Sequence, residues 1–120
     1  VIPKEAAAPP QQHDSPAGID LDEVMERVGG DSALLEAILA QFNLSFNDSH
    51  RTMRDLLGTE SWDELRRQAH TLKGAAGNIS AHRVSAAAKD LEDAAEAGDA
   101  TKATAALERT SDALEEVLGL

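Results

Sequence analysis

The chain has 120 residues and a mass of 12.7 kDa, which is the size of one small domain. Its 22 Asp and Glu against 11 Lys and Arg give a formal net charge of -11, and this sign disfavours nucleic acid and anionic membranes as partners. The absence of Cys excludes a disulfide framework and thiolate metal sites, and an aromatic content of 2% argues against base-stacking surfaces.

The first 18 residues differ in composition from the rest of the chain. All four prolines lie there, and no periodic apolar pattern accompanies them, so residues 1–18 are predicted to form a flexible Pro/Ala-rich linker. Because the chain starts at Val1 and enters this stretch at once, we expect residues 19–120 to be one module of a larger protein.

Two helices are predicted directly after the linker. Asp20 is suited to cap a short helix, which Gly29–Gly30 would end. A long helix is then predicted from Asp31 or Ser32 to Gly58, because apolar residues recur mostly every three or four positions. Those apolar residues are Leu34, Leu35, Ile38, Leu39, Phe42, Phe46, Met53, Leu56 and Leu57.

Three more amphipathic helices follow with short connections. They are predicted from Thr59 or Ser61 to about Ile79, over about 81–97 with Gly98 as the stop, and from Asp99 or Thr101 onward. Four substantial helices joined by short loops indicate an antiparallel up-down bundle, with the short helix lying over one end. The predicted fold class is therefore all-α, a four-helix bundle with a short additional N-terminal helix.

One histidine lies on the polar side of the third bundle helix. At 100° per residue, the apolar stripe of that helix centres between Leu65 and Ala69, and His70 lies roughly 130° from this centre, which points it to solvent. Gly74 and Gly77 follow on the same side, and a mid-helix glycine costs about 1 kcal/mol relative to alanine.

Two interpretations of this pattern stay open. His70 is either an ordinary surface residue beside glycines that allow close packing, or an accessible imidazole beside space kept clear for a phosphoryl group or another protein. Imidazole has an ordinary pKa near 6.5, so much of it is neutral and nucleophilic at neutral pH. Lys73, one turn on, would offset phosphoryl charge, and Gly74 would leave room for the group.

The residues around His70 carry a resemblance to a known family. The run AHTLKGAAGNISA, residues 69–81, resembles the signature of histidine-containing phosphotransfer (Hpt) domains of bacterial multistep phosphorelays. That pattern is His, two residues, Lys-Gly and a turn of small residues, usually with Gly where this chain has Ser80. The resemblance extends over about residues 19–120, and the segment around His70 is its diagnostic part.

The resemblance implies a role for each matching residue. His70 would be the phosphoacceptor, supported by Lys73, Gly74 and Gly77. In similar domains a polar side chain of the following helix hydrogen-bonds the imidazole, and Glu92 holds the corresponding position. A carboxylate there would accept from Nδ1–H and leave Nε2 as the attacking nitrogen, although Glu92 is equally compatible with a solvated acidic face.

The resemblance also implies the partners. Receiver domains would donate and accept the phosphoryl group and would supply the Mg²⁺, so no cofactor, nucleotide site or metal site is expected in this chain. Arg66 is expected in the docking surface. Val24 and Met25 are further docking candidates, although their apolar spacing equally predicts packing inward. His50 and His82 have no partner at metal-ligand spacing and are expected to be solvated.

A cellular context follows from the same resemblance. We expect a phosphorelay intermediate that is monomeric as an isolated domain and cytoplasmic, as the C-terminal module of a membrane-bound hybrid sensor kinase. An N-terminal position in a chemotaxis-type kinase is the second possibility. The alternative from a different class is a helical protein-interaction module in which His70 is never phosphorylated.

Overall fold

The structure, a computed structural model, describes residues 18–118, so the linker predicted over 1–18 lies outside the described residues except for Gly18. The described part is helical and confirms the predicted fold class. Its helices are α1 (Leu21–Arg27), α2 (Ser32–Phe46), α3 (Ser49–Gly58), α4 (Trp62–Asn78), α5 (His82–Ala97) and α6 (Ala100–Leu118).

The core lies between α3, α4, α5 and α6, and alanines fill much of it. The apolar stripe predicted for α4 is buried from Leu65 to Ile79. Small side chains on both helices allow α4 and α5 to approach closely, because the distance between two helix axes depends on the residues at their contact. Buried alanines on the two helices of this seam include Ala69 and Ala76 on α4 and Ala88 and Ala95 on α5.

Most helix ends lie where the sequence places them. The side chains of Asp20, Asp31 and Asp99 each accept a hydrogen bond from the backbone N–H three residues on, which satisfies a free donor at the helix start. At the end of α5, Gly98 adopts φ 66°, a left-handed conformation that costs glycine little.

The predicted long helix over 32–58 is wrong in one respect, because it is interrupted. Asn47 and Asp48 have low helix propensity, and Asp48 leaves helical geometry at φ -109°, ψ 8° without a side-chain hydrogen bond to the start of α3. After the break Met53 is fully buried, and α3 packs on both α4 and α6. α2 instead lies along the C-terminal part of α4, where Phe42 contacts the core.

The short helix α1 lies over one end of the bundle, as predicted. Val24 is buried, and the N–H of Asp20 donates to the carbonyl of Ser80 in the turn between α4 and α5. Ser80 itself adopts φ 58°. The first residues of the described chain are therefore held against the turn that follows the helix carrying His70.

Candidate functional site

His70 lies in the middle of α4, with its imidazole in solvent. Its side chain is 61% exposed, whereas the neighbouring Ala69 and Leu72 are fully buried. The His70 side chain points to solvent because the buried apolar stripe of α4 fixes the rotation of the helix about its axis. A reacting group can therefore approach the imidazole without any rearrangement of the core.

α5 contributes a carboxylate to the imidazole. Oε2 of Glu92 lies 2.9 Å from Nδ1 of His70, and Oε1 of Glu92 lies 2.9 Å from Nζ of Lys73. The Glu92 side chain is only 15% exposed, and Lys73 is 30% exposed. The site is thus a connected set of three ionisable groups with the carboxylate at its centre.

The charge state of Glu92 decides which imidazole nitrogen is free. The hydrogen bond from Lys73, joined by that from His70, holds the pKa of Glu92 below its ordinary value of 4.5, while partial burial acts in the opposite direction. At neutral pH the carboxylate is ionised and can only accept, so Nδ1 of His70 carries the proton. Nε2 is then the nitrogen that faces solvent.

This pKa shift predicts how stability changes with pH. Since the folded-state pKa of Glu92 is lowered, the ionised group favours the fold above pH 4.5, and this contribution is lost as the pH falls through the lowered value. Denaturant unfolding of the wild type and of Glu92→Gln at several pH values between 3 and 6 measures it. The stability advantage of the wild type should shrink towards pH 3; a constant difference would contradict the ionised network.

The surface beside His70 is open. A Cβ built on Gly74 would meet no atom within 4 Å, and one built on Gly77 would meet only Oγ of Ser85 at 3.8 Å. Packing within the described part of the chain therefore does not require either glycine. The interpretation in which the glycines serve tight helix packing is not supported at Gly74, and the cost of a mid-helix glycine points to something outside the domain.

The expected docking residues lie in different surroundings. Arg66 is on the His70 side of α4, with its side chain 35% exposed and paired with Asp63 at 3.3 Å. Val24 is 1% exposed and belongs to the core, so only the packing role considered for it fits the structure. Met25 is half-buried and keeps part of its side chain accessible.

The family model of the Hpt domain matches residues 37–119. The chain belongs to the Hpt domain family. Members of this family are phosphotransfer carriers of two-component phosphorelays and interact with receiver domains. Searches among curated proteins and among solved structures each found no match. The matched region begins within α2, after α1.

One contact of the Hpt site was missed by the sequence analysis. Oγ of Ser85 donates to the carbonyl of Lys73 at 3.1 Å, which ties α5 to α4 within the same stretch that carries the site. The available signal was spacing, because Ser85 precedes Glu92 by seven residues, or two helical turns, and so faces α4 as Glu92 does. Lys73 was expected to act on the phosphoryl group alone, whereas its ammonium lies on Glu92.

A second group of ionisable residues lies near α1. Asp20, Glu23 and His82 bring possible ligand atoms within 4.8 Å of one another. Glu23 already accepts from the Ser80 hydroxyl and lies 2.8 Å from Nε2 of His82, and the Ser80 bond, with His82 and Arg27, lowers the pKa of Glu23. This arrangement is a surface ion-pair cluster, so His82 is paired rather than only solvated as expected.

A helix that spans a membrane needs about 20 predominantly apolar residues. Among residues 18–118, none of the helices combines the length and the apolar character needed to cross a bilayer.

Proposed function

We propose that this Hpt domain is a relay intermediate that accepts a phosphoryl group on His70 from the aspartate of one receiver domain and passes it to the aspartate of another. The observation that carries the proposal is the Nδ1–Glu92 contact at 2.9 Å on an imidazole that is 61% exposed. It leaves Nε2 as a nucleophile that faces solvent and is already in the correct tautomer.

The transfer step balances without a proton leaving the site. The Nε2 lone pair attacks phosphorus, the N–P bond forms, and the P–O bond to the receiver aspartate breaks with its electron pair going to that carboxylate. The product ring bears a positive charge, and its Nδ1 proton stays hydrogen-bonded to Glu92. For onward transfer a receiver carboxylate oxygen attacks phosphorus, and the N–P bond breaks with its electron pair returning to Nε2. The ring leaves as neutral imidazole that is still protonated at Nδ1, so the same carboxylate serves both directions.

Lys73 supplies a positive charge to the site. Its ammonium rests on Oε1 of Glu92 with 30% of the side chain exposed, which leaves it able to interact with phosphoryl oxygens as well. It would offset charge on the transferred group. Mg²⁺ would be supplied by the receiver, which also provides the aspartate.

The receiver would dock over Gly74 and Gly77, with Arg66 and Met25 at the margin. Beside this face lies an apolar groove of about 200 Å³ between α2 and α4. It is lined by Ile38, Gln41, Phe42, Ser45, Phe46, Ala75, Asn78 and Ile79.

The experiment that tests the function is direct phosphorylation. The purified domain is incubated with a receiver phosphorylated on its aspartate and Mg²⁺, and intact mass is measured before and after brief acid treatment. A single added phosphate that acid removes and alkali leaves is expected, because that stability is the mark of a phosphoramidate. If several phosphorylated receivers bind the domain and none transfers phosphate to it, the helical interaction module is favoured instead.

Loss of the Glu92 carboxylate is expected to slow transfer. Glu92→Ala removes the group that fixes the His70 tautomer and should lower the transfer rate about 10²-fold, at the lower end of the range for positioned acid–base groups. Glu92→Gln keeps an acceptor but loses the charge, and should lie between alanine and wild type. Rapid-quench kinetics measure the rates, and ¹⁵N NMR of the imidazole reports the tautomer.

Asp93→Ala is the matched control for this prediction. Asp93 is the next carboxylate on α5, is 58% exposed and pairs with Lys89 rather than with His70. It should transfer at the wild-type rate. If Glu92→Ala also kept the wild-type rate and tautomer, Glu92 would be a bystander and the tautomer argument would be lost.

A further inference from the structure

The C-terminal end of α4 is held by a residue more than 50 positions earlier in the chain. Nη1 of Arg27 lies 2.7 Å from the carbonyl of Asn78, 3.1 Å from that of Gly77 and 3.2 Å from Oγ of Ser80. Carbonyls in the last turn of a helix have no partner within the helix, and a cation there also interacts favourably with the helix dipole. Arg27 therefore caps the helix that carries His70.

Ser80 completes this contact. It occupies the left-handed position after α4, and the N–H groups of Ser80 and Ala81 close the turn on the carbonyls of Gly77 and Ala76 at 3.1 and 2.9 Å. A glycine would adopt φ 58° more cheaply. The Ser80 hydroxyl, however, is fully buried, accepts from Arg27 and donates to Glu23, so the side chain joins these two residues of α1 to the turn.

The helix end that Arg27 caps is the weak part of α4. Gly74 and Gly77 both lie between His70 and the end at Asn78, and each lowers helix propensity. The backbone carbonyls of the His70–Lys73 segment accept from N–H groups in this glycine-containing stretch, since helical bonds run from residue i to i−4. Opening of the stretch would therefore release the backbone that holds both functional side chains.

We propose that Arg27 is a positioning residue and that α1 is a clasp, which keeps the glycine-containing end of α4 helical while His70 reacts. α1 has only seven residues and lies outside the matched family region, and a helix of that length forms through its contacts rather than on its own. The link to transfer rests on the proposed function of His70, whereas the capping itself does not.

Amide hydrogen exchange of the folded domain tests the clasp. Arg27→Ala should speed exchange of the amides of Gly77, Asn78, Ile79, Ser80 and Ala81 about tenfold and leave the middle of α6 unchanged. Arg83→Ala is the control, because Arg83 is an exposed arginine at the start of α5 that pairs with Glu116 of α6. Unchanged exchange at the end of α4, or equal acceleration throughout the domain, would overturn the clasp.

Ser80→Gly provides a second variant that relieves backbone strain. If the hydroxyl bridges α1 to the turn, the amides of Val24 and Val28 should exchange several-fold faster although the turn itself is easier to form. Slower or unchanged exchange of these amides would mean that Ser80 only terminates α4, which would overturn the bridging role.

Transfer kinetics separate the clasp from the proposed function. Arg27→Ala should lower the transfer rate at saturating receiver at least twofold with KM unchanged, and Arg27→Lys, which keeps the cation, should restore part of the loss. A wild type that carries phosphate on His70 while Arg27→Ala transfers normally would overturn the positioning role alone. A wild type that accepts no phosphate would overturn the proposed function and leave the exchange result to decide the capping.

Discussion

Replacing His70 with glutamine is expected to abolish phosphate transfer and to leave the fold and receiver binding intact. Glutamine has no nucleophilic nitrogen, because its amide lone pair is delocalised into the carbonyl. The side chain at this position is 61% exposed and makes no contribution to the core, so unfolding is not expected. Intact mass after incubation with a phosphorylated receiver measures transfer, and titration against the unphosphorylated receiver measures binding.

His82→Gln is the matched control for this experiment. His82 is also 61% exposed and also lies beside a glutamate, at 2.8 Å from Glu23, but it lies at the start of α5 on the α1 side of the domain. This variant should accept phosphate at the wild-type rate. If His70→Gln still carried phosphate and His82→Gln did not, the phosphoacceptor would be His82 and the site assigned here would be wrong.

Enlarging Gly74 is expected to stabilise the domain and to impair its function. Since a Cβ at this position would enter open space, Gly74→Ala should raise the free energy of unfolding by about 1 kcal/mol, the difference in helix propensity. Gly74→Leu should also fold, yet its side chain would fill the space where a phosphoryl group and receiver must approach, and transfer should slow at least tenfold. Denaturant unfolding and rapid-quench transfer kinetics measure the two effects.

Gly58 offers the comparison that isolates the steric effect. It is also helical and would also meet no atom within 4 Å, but it ends α3, outside the His70 site. Gly58→Leu should leave transfer unchanged. A Gly74→Leu variant that is folded and transfers as fast as Gly58→Leu would remove the argument that Gly74 keeps the approach clear.

Much of the fold follows from local sequence signals. Asp20, Asp31 and Asp99 act as caps where the sequence predicts them, because each precedes an apolar-periodic stretch that needs its first N–H groups satisfied. The break between α2 and α3 was not predicted. Phe46 and Met53 are two helical turns apart, so the apolar spacing on either side is compatible with one helix, although residues 47–52 are all polar and Asn47 and Asp48 are weak helix formers.

Some features of the candidate site were also predictable from the sequence, and others were not. The exposure of His70 follows from the rotation of an amphipathic helix, and the proximity of Glu92 came from the resemblance to Hpt domains. The ammonium of Lys73 on Glu92 and the capping by Arg27 join residues that are distant in sequence, and no local pattern encodes such pairs. Val24 shows the same limit, since its spacing allowed a docking role that the buried position excludes.

The alanine seam between α4 and α5 makes the reactivity of His70 depend on side chains in the interior of the domain. The Glu92 carboxylate reaches the imidazole at 2.9 Å from another helix, and alanines such as Ala69 and Ala88 are buried in the core on these two helices. Selection for a faster or slower relay thus need not touch any residue at the surface. A single methylene added to a buried side chain of the seam would move the two helices apart and lengthen the contact between Glu92 and His70. The reactivity of the imidazole would then change without any substitution at the site itself.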